Sequence, residues 1–220
     1  FPTTDEWNFV SESQDVETDW NKKYATAIWR GKSTGCGITI KNNNRLKLAD
    51  ISHKWKSNNM YNQNNEIDKT PYLDVGISQF VKRLKVTNQI IYYLNPKDLN
   101  FYISKFMDYK DQSYCKYLFN IEGNASAYRF GTIFSLNSVV INIKSKYYLW
   151  FEPLLTKDNF VEIEEDFNED DIAKAIRNLK ENDSKAENIA NNGKRFYKKY
   201  INKEIMSEYW FKLMMKINVL

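Results

Sequence analysis

The stretch from Cys115 to Ile143 constrains the fold more than any other part of the chain. Tyr117 to Ile121 is a β-prone run of aromatic and aliphatic residues. It is followed by the small-residue segment Gly123-Asn124-Ala125-Ser126-Ala127, a short helical pattern with Arg129 in its first turn, and a second apolar run from Ser138 to Ile143. Strand, loop, helix and strand in that order predict a parallel pair joined by a crossover, with side chains buried on both faces.

The loop between strand and helix suits a phosphate group. Glycine and small side chains let the backbone approach a ligand closely, and a helix start offers free N–H groups and the positive end of its dipole. Arg129 adds a permanently charged planar fork that grips two phosphate oxygens. The other reading of the same spacing is a plain βα turn with Arg129 paired to a surface carboxylate, since the full Gly-x-Gly-x-x-Gly pattern is missing.

Composition narrows the choices. At 220 residues with 42% apolar and 15% aromatic side chains, the chain has material for one large core. A net charge of +4 gives no sign of a polyanion-seeking surface, and no nucleic-acid recognition motif is present. Cys36 and Cys115 are too few for a disulfide framework and lack zinc-ligand spacing. His53, the single histidine, rules out the usual His-based metal clusters and reads as a surface residue. No apolar run reaches the roughly 18 residues that span a bilayer. The opening Phe1-Pro2, without a methionine or signal-peptide pattern, suggests a processed product or part of something longer.

Other segments repeat the alternation. Ala27-Ile28-Trp29-Arg30 is a short apolar strand broken by Gly31-Lys32-Ser33-Thr34-Gly35-Cys36-Gly37, a second strand-then-glycine-loop unit with an arginine at the junction. Arg45-Leu46-Lys47-Leu48 fits a helix start, residues 57–69 a loop, and Tyr72 to Ile77 a further strand. A short helix is expected over 98–110 and a strand over Phe160 to Ile163. Ile172, Ile176 and Leu179 share one helical face, with Asn168 as cap; Ala186, Ile189 and Ala190 share another, with Gly193 as its stop. Lys194-Arg195-x-x-Lys198-Lys199 reads as a solvated face, and Tyr209, Trp210, Leu213 and Met214 line a last helix. The fold class predicted is α/β: a Rossmann-like, mostly parallel sheet with helices on both faces, forming a single domain over 1–220.

With these pieces assembled, the chain resembles glycosyltransferase family 90, the capsule-associated and Rumi-type protein O-glycosyltransferases. The matching pieces are Phe1-Pro2-Thr3-Thr4-Asp5-Glu6-Trp7, Trp29-Arg30-Gly31-x-x-Thr34-Gly35, Arg45-x-Lys47-Leu48, Cys115 to Asn124, Tyr128-Arg129-Phe130, Asn137-Ser138-Val139-Val140, Trp150-Phe151-Glu152, and Ala186 to Phe196. They occur in family order and cover almost the whole chain. Two positions depart from the pattern: Asn159 stands where the family usually has histidine, and Glu122 where many members carry aspartate.

The resemblance implies the C-terminal, donor-binding domain of a two-domain GT-B enzyme. Residues 1–25 would lead in from an N-terminal domain, and 200–220 would form the C-terminal helix. It implies inverting, metal-independent transfer from a UDP-sugar, glucose or xylose above all, to a hydroxyl of a protein or glycan acceptor, with no cofactor beyond the donor. The enzyme would be a hexosyl- or pentosyltransferase. The donor site implied is Arg30, Gly31, Ser33, Thr34, Gly123, Asn124, Ala125, Ser126, Tyr128 and Arg129, with Glu152 on a ribose hydroxyl. The aspartate that acts as general base in family members lies ahead of the Phe1-Pro2 segment and has no counterpart here, so these 220 residues alone are expected to bind donor with little or no transfer. The competing reading is a catalytically silent module that kept the fold. Cytoplasm and secretory lumen both stay open, with the low cysteine count leaning to the cytoplasm.

Overall fold

The computed structural model describes residues 2–12, 18–60, 70–82, 84–87 and 89–217. Phe1, and the part of the expected loop at 61–69, lie outside the described residues. A lead helix α1 (Thr4–Glu12) is followed by strand β1 (Tyr24–Lys32), helix α2 (Asn44–Ser57), strand β2 (Leu73–Gln79), and a hairpin of β3 (Leu84–Thr87) and β4 (Ile90–Tyr93). Then come α3 (Tyr109–Gln112), β5 (Cys115–Asn120), α4 (Arg129–Ile133), β6 (Val139–Ile143), β7 (Val161–Ile163) and the helices α5 (Glu169–Glu181), α6 (Asp183–Tyr200) and α7 (Lys203–Ile217).

Five strands form one sheet in the order β2-β1-β5-β6-β7, and every pair in it is parallel. The expected α/β class and Rossmann-like sheet are what the chain adopts. Its continuous apolar runs require this arrangement, because both faces are covered. Trp29, Tyr117, Phe119, Val139 and Ile141 pack with α2 and α5 on one face; Ile28, Leu118 and Val140 pack with α4 and the end of α6 on the other. Helix α6 serves both clusters, contributing Ala186 and Ala190 to the first and Phe196 and Tyr197 to the second.

The order has a functional consequence. From β1 the chain moves outward to β2, then returns past β1 to β5 and continues the other way. The C-terminal ends of β1 and β5 are therefore neighbours whose following loops diverge, leaving the crevice where open α/β sheets take ligands.

Several local expectations are corrected. The segment expected to be helical over 98–110 is irregular from 99 to 108, with a 3-10 turn at Pro96–Asp98 before it and a single helical turn at Tyr109–Gln112 after it. The Ser104 N–H reaches the Ile77 carbonyl at 2.8 Å, so this backbone pairs against the end of β2, and the run Phe101-Tyr102-Ile103 favours extended backbone. Gly193 does not stop its helix: α6 runs through it, and a Cβ there would lie 2.8 Å from the Phe134 ring and 3.1 Å from the Asn159 carbonyl. Lys194 is buried rather than solvated. The Asn168 cap is present as a full capping box with Asp171. No described helix is long and apolar enough to cross a membrane.

Candidate functional site

The loops after β1 and β5 face each other across the crevice; together with the end of β1 (Arg30, Gly31) and the first residue of α4 (Arg129) they carry ten of the eleven residues the sequence singled out. Helix α2 begins beside them. Asn43 caps it, its side chain accepting from the Arg45 and Leu46 N–H groups at 3.0 and 3.2 Å. Helical side chains lean toward the N-terminus, so Arg45, in the first turn, reaches back to the strand ends.

Arg129 lies against the backbone of β1. It donates to the Arg30 carbonyl at 2.7 Å and to the Gln112 side-chain oxygen at 2.6 Å, while its Nε is buried without a partner. Its guanidinium stands 6.0 Å from the Trp29 ring centre and 5.9 Å from that of Tyr109. Arg45 stacks on the same indole at 5.0 Å. Its four hydrogen bonds go to the carbonyls of Lys32, Ile121 and Glu122 and to the Thr34 hydroxyl. Among the described residues, neither arginine has a carboxylate within ion-pair distance. Burial, then the neighbouring Arg129 charge, pull the Arg45 guanidinium down to about 10, with Glu122 partly offsetting; burial also lowers Arg129.

Arg30 is different. Its guanidinium pairs with Asp74 at 2.6 Å and also donates to the Asp74 carbonyl at 2.6 Å, leaving only Nε buried and unpartnered. Burial would raise the Asp74 carboxyl, yet Arg30 and Lys56 beside it hold it below the ordinary carboxylate value. The charge of Arg30 is thus neutralised within the protein. Its backbone carbonyl is what bears on Arg129.

The remaining residues divide similarly. Ser33 is buried, its hydroxyl accepting from the Val81 N–H at 2.8 Å, which makes it a brace. Gly31 has no room for a side chain, because a Cβ would meet the Trp29 ring at 2.6 Å. Gly123 packs against Arg45 and Thr34, and Asn124 reaches across to the Gly35 N–H at 3.5 Å. The Gly123 N–H bonds to the Ala125 carbonyl at 3.0 Å, turning the loop, and the amides of Ala125, Ser126 and Ala127 have no intramolecular acceptor among the described residues. Helix α4 has only five residues, so these loop amides rather than a long helix dipole are the donors on offer. Tyr128 precedes α4 and is 43% exposed. Glu152 makes no hydrogen bond to either loop among the described residues: it accepts from the Leu149 N–H at 2.7 Å in its own turn, and burial raises its carboxyl.

Beside the crevice, at the start of α2, opens a cleft of about 500 Å³ whose walls include Gly35, Asn43, Lys47, Glu122 and Asp166. At the ends of β5 and β6, Asn120 donates to the Asn142 side chain at 2.8 Å and keeps an unpartnered buried oxygen of its own. Trp29 Nε1, Arg30 Nε, Arg129 Nε and Asn120 Oδ1 thus form a concentration of unsatisfied buried polar atoms at this one edge of the sheet. The sequence pattern of glycosyl transferase family 90 matches residues 5–219. The chain belongs to that family.

The chain is similar to proteins of a virus, an insect and a mammal. The chain is 28% identical over 221 residues to the 179R protein of Invertebrate iridescent virus 6, covering 93% of this chain and 18% of the viral protein. It is 26% identical over 189 residues to the O-glucosyltransferase rumi homolog of Aedes aegypti, covering 82% of this chain and 46% of that protein. Protein O-glucosyltransferase 1 of Homo sapiens matches at 27% over 100 residues, 45% of this chain and 25% of that protein. The chain spans less than half the length of each of these relatives.

Arg45 escaped the sequence-based site. It was visible as part of the Arg45-x-Lys47-Leu48 piece, but its acceptors are mostly backbone carbonyls, which no residue pattern marks.

Proposed function

We propose that this family 90 glycosyltransferase chain is the donor-binding part of its enzyme and holds a UDP-sugar by its diphosphate, without a metal, at the ends of β1 and β5. One observation carries the reading: Arg45, buried, and Arg129, half-buried with an unpartnered Nε, stand at the switch point with neutral acceptors and, among the described residues, no carboxylate within ion-pair distance. A buried unpaired charge is costly, and an anionic ligand relieves that cost. The free amides of Ala125, Ser126 and Ala127 supply further donors from the facing loop.

In this reading the phosphate contacts are made by Arg129 and the loop amides. Gly31 and Gly123 permit close approach, while Ser33, Thr34, Asn124 and Arg30 hold the two loops in register. As the bond from sugar carbon to phosphate oxygen breaks, negative charge grows on the leaving diphosphate. Preorganised donors at that point lower the barrier, each by about 3 kcal/mol. The acceptor hydroxyl attacks from the opposite face, giving inversion, and loses its proton to a carboxylate outside this segment. Glucose as the sugar and a protein hydroxyl as the acceptor are supported by the names of the insect and human relatives.

Isothermal calorimetry with UDP tests the reading. Saturable binding is expected in the micromolar to millimolar range, with uridine binding far more weakly because it lacks the diphosphate. Absence of saturation at millimolar UDP would overturn it.

A further inference from the structure

We propose that Arg45 is a positioning residue of the donor site: it clamps the loop after β1 to the loop after β5 and fixes the width of the crevice between them. This rests on the donor-site reading above and adds to it a residue that touches no substrate.

The geometry is that of a strut. Arg45 Nε donates to the Glu122 carbonyl at 2.7 Å and Nη2 to the Ile121 carbonyl at 3.0 Å, both in the chain leaving β5. From the same guanidinium, Nη1 donates to the carbonyl of Lys32, the last residue of β1, at 3.0 Å and to the hydroxyl of Thr34 in the loop that follows. Below these points β1 and β5 hold each other by backbone pairing from Tyr24 and Cys115 to Ile28 and Leu118. Beyond Ile28 that direct pairing ends, so a side chain must take over if the loops are to keep their spacing. Arg45 does so with donors directed into both loops at once, a task a lysine's single nitrogen performs poorly.

Three features keep the strut rigid. The Asn43 cap fixes the backbone of Arg45, the Trp29 ring lies beneath the guanidinium at 5.0 Å, and Gly123 leaves room above it, since a Cβ there would lie 3.0 Å from Nη2. The residues so positioned are those that face the ligand. Gly123 begins the turn that presents the Ala125 to Ala127 amides, and the β1 backbone carries the carbonyl that holds Arg129. A site preorganised in this way loses affinity when its spacing relaxes, even if every contacting group remains.

The test compares Arg45→Lys with the parent, measuring UDP affinity by calorimetry and unfolding by denaturant. Arg45→Lys keeps the charge but not the two-loop span. We expect UDP to bind it at least tenfold more weakly at a temperature where the variant is fully folded, and amide exchange to speed up together in residues 31–35 and 121–127. A residue of purely structural importance would lower stability and leave the affinity of the folded protein unchanged; that result overturns the proposal. If Arg45→Lys does not fold, Thr34→Val removes one acceptor of the strut, and a weakening of about threefold is expected, with none overturning it. A parent that fails to bind UDP brings down the donor-site reading itself, whereas a parent and an Arg45→Lys variant that bind equally bring down only the role of Arg45.

Discussion

Replacing Arg129 with methionine separates a ligand-facing cation from a structural one. The guanidinium makes two hydrogen bonds to uncharged acceptors, the Arg30 carbonyl and the Gln112 amide oxygen. Losing them costs about 1 kcal/mol each. Against that, Arg129→Met removes a half-buried charge that lacks a carboxylate partner among the described residues, which offsets part of the loss, while the methionine stem keeps most of the packing against Tyr109 and Trp29. The net change in unfolding free energy is therefore expected to stay within about 2 kcal/mol. Binding is affected more. A charge-assisted hydrogen bond to phosphate contributes about 1.5–3 kcal/mol, and a guanidinium that makes two of them accounts for roughly 3 kcal/mol or more, a loss of over a hundredfold in UDP affinity. Calorimetry of Arg129→Met beside its denaturant melt gives both quantities. A variant that binds UDP like the parent, or one that unfolds before its binding weakens, would refute the assignment.

Further outcomes follow from the same geometry. Gly123→Ala puts a methyl group 3.0 Å from Arg45 Nη2 and 3.2 Å from Thr34 Oγ1, so the strut must shift. A stability loss of about 1–2 kcal/mol with weaker UDP binding is expected from melts and calorimetry, and a neutral result would mean the crevice adapts freely. Lys23 is buried at the opposite end of the sheet, donating to the Ser113 and Leu136 carbonyls and the Ser138 hydroxyl; burial, outweighing the opposing effect of Cys115, lowers it to about 8. Between pH 8 and its unfolded value near 10.5 the unfolded chain holds a proton the folded one has released, so stability rises with pH across that window. The stability of the parent relative to Lys23→Met should climb by roughly 3 kcal/mol from pH 8 to 10.5 and stay level below pH 7; a flat difference would contradict the shift.

How much of this was legible in the sequence depended on where the partners lie. The β5–loop–α4–β6 unit was readable because its cues are contiguous: an apolar run, small residues, then another apolar run. The Asn168 cap was likewise local. The neutralisation of Arg30 was not, since Asp74 lies far along the chain and reaches Arg30 only through the parallel register that sets Arg30 opposite Gly76. Gly193 was misread for a related reason. Glycine at that point signals a helix end when only the helix is considered, but the residue is small because Phe134 and the Asn159 carbonyl press on it. The antiparallel hairpin of β3 and β4 lacked a readable signal, as Ile90 to Tyr93 are all exposed and show no alternation.

A crystal structure of the chain with UDP bound tests the central claim most directly. The account predicts the diphosphate at the C-terminal ends of β1 and β5, within hydrogen-bond distance of the Arg129 guanidinium and at least one amide of residues 125–127, with Arg45 still spanning the two loops behind it. Diphosphate density elsewhere on the sheet edge, or Arg129 still closed onto Gln112 and turned away from the nucleotide, would contradict it.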